Sequence, residues 1–123
     1  MSGLNITITG ALFILTIATG VWLSHAGKPL NIILVTIHKL IAVATAVFIG
    51  ILINGVIKNI KTDVLIIILF VVTGLSIIAL FATGAFLSQG KQPVNVALLV
   101  IHNVATLLGV AGASILIYFL LKK

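Results

Sequence analysis

Four long apolar stretches constrain this chain more than any other feature of its sequence. They span about residues 4–24, 30–57, 64–88 and 94–121. A bilayer core of about 30 Å requires about 20 apolar residues in helical form, so each stretch is long enough to cross it. With 62% apolar and 7% charged residues, a soluble domain of 123 residues would have no way to hide these segments. The pattern predicts an integral membrane protein with four transmembrane helices.

The composition of the stretches also excludes a membrane β-barrel. Barrel strands alternate polar and apolar residues, whereas runs such as VLIIILFVV are apolar on every side. The first stretch resembles a signal peptide in length, with ATG at 18–20 as a weak cleavage site. The same ATG recurs at 82–84 in the middle of the chain, which favours an architectural role for both copies.

The chain contains an internal repeat at an offset of 64 residues, without a gap. We assign residues 1–59 to repeat one and 64–123 to repeat two, within a single transmembrane domain of residues 1–123. Apolar periodicity alone rarely aligns Pro, Asn and His together. The aligned pairs include Thr9 and Thr73, Gly10 and Gly74, Thr19 and Thr83, Gly20 and Gly84, Pro29 and Pro93, Asn31 and Asn95, and His38 and His102.

The repeat predicts an all-α, up-down four-helix bundle. Each half has two spans, so the halves cross the membrane in the same sense and are related by a pseudo-twofold axis along the membrane normal. Short connections make sequential helices antiparallel neighbours. Helices two and four are then diagonal partners about 11 to 14 Å apart. The two prolines are expected in the first turns of these helices.

The charge of +6 indicates topology rather than binding to nucleic acid. Lys58, Lys61, Lys122 and Lys123 lie on one side, against Lys28 and Lys91 in the loops of the other. The positive-inside rule places both termini in the cytoplasm, in a plasma membrane of prokaryotic type. The chain has no cysteine, which excludes disulfides, thiolate metal sites and covalently attached haem.

His38 and His102 are the candidate metal ligands, because the predicted axis brings them to one depth on opposite sides of the bundle centre. Two imidazoles on helices about 11 to 14 Å apart cannot hydrogen-bond to each other directly. Both can, however, reach an iron ion at the centre of a planar macrocycle. A zinc or copper site is an alternative. A third interpretation is structural, in which each histidine is bonded to a helix backbone or a threonine.

Small and polar residues around the histidines complete the predicted site. Small side chains follow each histidine by four and seven residues, and glycines on helices one and three lie near the same depth. The asparagines are candidates for haem propionates or for helix capping. Lys28, Lys91 and His25 offer positive charge for propionates, and Lys39 is an intramembrane cation. The candidate cofactor-binding residues beside the histidines are Ala42, Thr45, Thr106, Gly109, Gly20, Gly84, Asn31 and Asn95.

The architecture and the histidines within TIHK and VIHN resemble the four-helix transmembrane b-type cytochromes. That resemblance implies a b-type haem with two histidine ligands, and electron exchange with quinone or a redox protein. Many of those cytochromes hold two haems, but helices one and three contain no buried histidine here, so one haem per chain is implied. Two imidazole ligands favour electron transfer over enzymatic turnover, and any oxidoreductase activity would be that of the haem.

Two other function classes stay open at the level of sequence. One is a small transporter or channel with a histidine relay, although the only acid, Asp63, lies in a loop. The other is a structural accessory subunit of a membrane complex. A chain with so little polar surface is well suited to that role. The bilayer is the expected environment in each case, and oligomerisation is compatible with all of them.

Overall fold

The structure is a computed structural model that describes residues 3–27, 29–59, 61, 63–89 and 95–122. Within these ranges the chain forms four α-helices. They are α1 (Gly3–Ala26), α2 (Ile32–Asn59), α3 (Val64–Gln89) and α4 (Val96–Lys122). Each helix is long and apolar enough to cross a membrane. The predicted all-α, four-span membrane bundle is confirmed, with helix ends within two residues of those expected.

Side-chain caps define where three of the helices begin. The Oδ1 atom of Asn31 accepts hydrogen bonds from the backbone N–H groups of Ile33 and Leu34, at 2.9 and 3.3 Å. Asn95 repeats this cap at α4, and Asp63 caps α3. These bonds satisfy N–H groups that have no partner within a helix's first turn.

The capping geometry corrects one expectation. Pro29 was predicted in the first turn of helix two, but it lies two residues before the Asn31 cap, outside the helix. The asparagine side chain satisfies the first N–H groups, so the helix begins only after it. Pro93 lies outside the described residues. At the other side of the same connection, Gly27 has a positive φ of 69° just after α1, a conformation that favours glycine at a helix end.

The helices pack as two close pairs, α1 with α2 and α3 with α4. Unlike the expected square arrangement, α2 and α4 also contact each other directly, and more extensively than α2 contacts α3. These two helices are therefore the inner pair, with α1 and α3 outside them. The reason lies in a cluster of apolar side chains that joins α2, α3 and α4, formed by Val56, Ile66, Leu69 and Leu116.

The inward-facing residues of α2 and α4 form stripes at helical spacing. Thr45, Ile49, Leu52 and Val56 are the buried residues of the α2 stripe. On α4 the buried residues are Ala105, Gly109, Gly112, Ala113 and Leu116. All of them follow the histidine of their helix, so the histidines stand at the less buried end of each stripe. Many large apolar residues elsewhere on the four helices are exposed, as expected of surfaces that face lipid.

Candidate cofactor site

The two histidines occupy equivalent places on the inner helices. His38 lies six residues after the start of α2 and His102 six residues after the start of α4, which is about 9 Å along each axis. Both side chains are half-buried. The two histidines thus share the same offset from the start of their helices, and their common depth in the bundle stays a prediction.

A threonine on α1 anchors the first imidazole. The hydroxyl oxygen of Thr19 lies 2.8 Å from Nδ1 of His38. The same oxygen lies 2.8 Å from the backbone carbonyl of Leu15 and 3.1 Å from that of Thr16. His38 is thus connected to α1 at Nδ1, and Nε2 is its remaining nitrogen.

The second repeat contains the same arrangement between α3 and α4. The Thr83 hydroxyl lies 2.8 Å from Nδ1 of His102 and 2.6 Å from the backbone carbonyl of Ala79. Thr83 is buried, with 6% of its surface exposed, whereas Thr19 is half-buried. Each histidine is therefore bonded through one ring nitrogen to the helix that precedes it in sequence.

Glycines follow both threonines and lie against the imidazole rings. A Cβ atom at Gly20 would stand 3.2 Å from Cε1 of His38, and one at Gly84 would stand 3.5 Å from Cε1 of His102. Only a residue without a side chain leaves the His38 ring its full space here. The sequence offers these glycines as candidate cofactor-binding residues, and in the structure they make room for the imidazole rings.

The other small residues of the predicted site lie at varied places around the histidines. Thr45 is buried and its hydroxyl lies 3.0 Å from that of Thr16 on α1. The Thr106 hydroxyl donates to the backbone carbonyl of His102, at 2.9 Å. Gly109 packs against Ser76 on α3, where an added Cβ would be 3.5 Å from that of Ser76. Ala42 is half-buried one turn after His38.

The polar residues near the loops that the structure describes are either helix caps or exposed side chains. Asn31 and Asn95 serve as helix caps, the alternative that the sequence already offered for them. Lys39 and His25 are exposed. Lys28 and Lys91, expected to supply charge for propionates, lie outside the described residues.

The donor set of the site suits some metal centres better than others. In the part of the chain that the structure describes, no group of three or more His, Cys, Asp or Glu side chains could hold a metal ion. Structural zinc sites use four protein ligands, so a pair of imidazoles does not fit one. Two neutral imidazoles do fit the axial positions of a haem iron, whose remaining ligands come from the porphyrin.

Sequence reasoning did not assign Thr19 and Thr83 to the site, although both appeared in the repeat. The signal was present as the duplicated ATG segment, which the spacing places near the depth of the histidines. Comparisons with protein-family models, with curated proteins and with solved structures found no match to this chain.

Proposed function

We propose that this membrane protein binds one b-type haem per chain through His38 and His102 and acts as a one-electron carrier. The observation that carries the proposal is the repeat-equivalent pair of histidines, each bonded to a threonine at Nδ1. That contact leaves Nε2 of each ring as the nitrogen available to a metal. Histidines that ligate metals usually engage their second ring nitrogen in such a hydrogen bond.

The helices provide what such a haem site requires, which is rigid placement of the ligands, space beside them and limited access of water. His38 and His102 lie half-buried on the two inner helices, so both proposed ligands are carried by rigid elements. The densest packing lies toward the far end of the same helices, around Val56 and Leu116, away from the histidines. Apolar helices around the pair limit the access of water. When bound, the haem iron supplies reversible one-electron chemistry.

The position of the site suggests where electrons would enter and leave. Both histidines lie near the α1–α2 and α3–α4 connections, which are on the outer side if the lysine-rich end is cytoplasmic. One haem near one surface supports exchange with a partner at that surface rather than transfer across the whole membrane. A membrane quinone or a redox protein is the partner class that this placement suits.

An absorption spectrum of the purified protein tests the proposal. Protein from haem-replete cells is expected to show a sharp reduced α-band after dithionite and about one haem per chain by pyridine extraction. His38→Ala and His102→Ala should each abolish that band. His25→Ala is the matched control, because His25 is exposed at the end of α1 and a positive charge near a propionate is not an iron ligand, so the α-band should stay unchanged. A colourless wild-type protein would overturn the haem assignment.

A structural role for the histidines is the second candidate, and the same threonine contacts favour it. They connect α1 to α2 and α3 to α4 inside an apolar bundle, where an interhelical hydrogen bond contributes about 0.6 kcal/mol on average. In that case the protein is an accessory subunit whose bundle binds a larger complex. The alanine variants would then unfold more readily, and neither they nor the wild type would carry a haem band.

A further inference from the structure

The two Ala-Thr-Gly segments, 18–20 and 82–84, lie directly against the two imidazoles. Each supplies a hydroxyl at Nδ1 and a glycine at Cε1. The proposed haem site assigns a function to the histidines but none to these segments. The direction in which each hydroxyl donates its hydrogen determines which nitrogen of the neighbouring ring carries the proton.

A threonine hydroxyl has one hydrogen to donate and two lone pairs that accept. In Thr83 the carbonyl of Ala79, at 2.6 Å, is the closest acceptor for that hydrogen. The oxygen is then an acceptor toward His102, so Nδ1 must carry the proton. In Thr19 the carbonyls of Leu15 and Thr16 take the hydrogen in the same way.

We propose that Thr19 and Thr83 are positioning residues that hold His38 and His102 as the Nδ1–H tautomer, leaving the lone pair of each Nε2 free for a metal. The metal's identity rests on the proposed function, but the tautomer does not. A neutral imidazole binds metal only through the nitrogen without a proton. The threonines therefore select which nitrogen can become the ligand, and the glycines allow the ring to approach the neighbouring helix.

The two positioning residues have equivalent backbone surroundings. The residue that corresponds to Thr16 in repeat two is Leu80. The carbonyl oxygens of Thr16 and Leu80 lie 3.1 and 3.4 Å from the hydroxyl oxygens of Thr19 and Thr83. Removing either hydroxyl should therefore change the tautomer of the histidine that it contacts.

The test is nitrogen NMR of the histidine rings in haem-free protein labelled with 15N-histidine and purified in detergent. In the wild type, both rings should give the pattern of a protonated Nδ1 and an unprotonated Nε2. In Thr83→Val the His102 ring should lose that pattern, while Thr83→Ser, which keeps a hydroxyl, should restore it. Thr19→Val should change the His38 ring in the same way. Thr36→Val, which removes an exposed hydroxyl bonded to the Ile32 carbonyl, is the control.

The outcomes separate this inference from the haem assignment. A wild-type protein with the Nε2–H tautomer at both rings overturns the inference, whatever its colour, and needs no variant to fold. Rings that keep the Nδ1–H tautomer in Thr83→Val also overturn it. A colourless protein with the expected tautomers overturns the haem assignment alone, because the ring measurement does not depend on haem.

Discussion

The hydroxyl oxygen of Thr83 lies 2.8 Å from Nδ1 of His102, and Thr19 and His38 repeat that distance 64 residues earlier. Two helix pairs thus present their histidines in the same way. Because each threonine precedes its histidine by 19 residues, across a loop, the contact links sequential helices and orients the ring at the same time. A histidine in such a contact has one nitrogen engaged and one available.

Removal of the Thr83 hydroxyl should weaken haem retention in the proposed cytochrome. Hydrogen bonds of this kind raise the basicity of a ligating imidazole, and their loss typically costs about 10-fold or more in metal affinity. We expect Thr83→Val to lose haem about tenfold more readily than the wild type and to have a higher midpoint potential. Competition with apomyoglobin and a redox titration measure these quantities. Equal haem loss in Thr83→Val and the exposed control Thr36→Val would contradict the prediction.

Adding a methyl group should affect the two imidazole-facing glycines differently. The Cβ atom of Gly20→Ala would be 3.2 Å from Cε1 of His38, so that ring must shift by a few tenths of an ångström. Gly84→Ala places its Cβ at 3.5 Å from His102, an ordinary van der Waals distance. We expect a changed low-spin haem EPR signal in Gly20→Ala and little change in Gly84→Ala. A larger EPR change in Gly84→Ala than in Gly20→Ala would show that the imidazoles do not contact these glycines as described.

The contact between Gly112 and Thr73 should be the most sensitive point of the α3–α4 interface. A Cβ added at Gly112 would collide with Oγ1 of Thr73, which is fully buried. Within the described residues, that oxygen is the buried side-chain polar atom without a hydrogen-bond partner. Gly112→Ala should lower the free energy of unfolding by about 1 to 3 kcal/mol, the usual cost of overpacking.

Denaturation of the variants in mixed micelles measures this cost. Thr73→Ala combined with Gly112→Ala should recover much of the stability, since the colliding oxygen is gone. Gly74→Ala is a suitable control, because a Cβ there meets nothing within 4 Å. An equal loss in Gly74→Ala and Gly112→Ala would point to a general effect of the substitution rather than to the collision.

The capping asparagines offer a way to separate their two predicted roles. Asn31→Ala and Asn95→Ala should each cost about 0.5 to 2 kcal/mol, because the first N–H groups of α2 and α4 lose their acceptor. Asn31→Asp and Asn95→Asp should keep the fold, since aspartate caps equally well. If the amides also bind propionates, the aspartate variants will be stable but retain haem less well. Unchanged haem retention would limit both asparagines to capping.

The lysine distribution predicts the orientation of the bundle. Because the chain has no cysteine, a single cysteine reports its own exposure to a reagent that does not cross membranes. We expect His25→Cys to react from outside intact cells and Lys61→Cys to react only after the membrane is opened. Both residues are exposed and lie at opposite ends of the bundle. Labelling of Lys61→Cys in intact cells would place the termini on the outer side.

The sequence by itself determined the number and length of the spans, because a segment in lipid must satisfy its own backbone hydrogen bonds and therefore forms a helix. It also located His38 and His102, since polar residues are conspicuous in apolar runs. Their threonine partners were visible in the repeat but were not paired with them.

Only the tertiary structure decided which helix faces meet. Lipid tails are as apolar as a protein interior, so a transmembrane helix has no strong difference in polarity between its buried and exposed sides. The direct contact of α2 with α4, the approach of Thr73 to Gly112 and the bond from His102 to Thr83 depend instead on the shapes of small residues and on interhelical hydrogen bonds. Those features appear only when the helices are packed together.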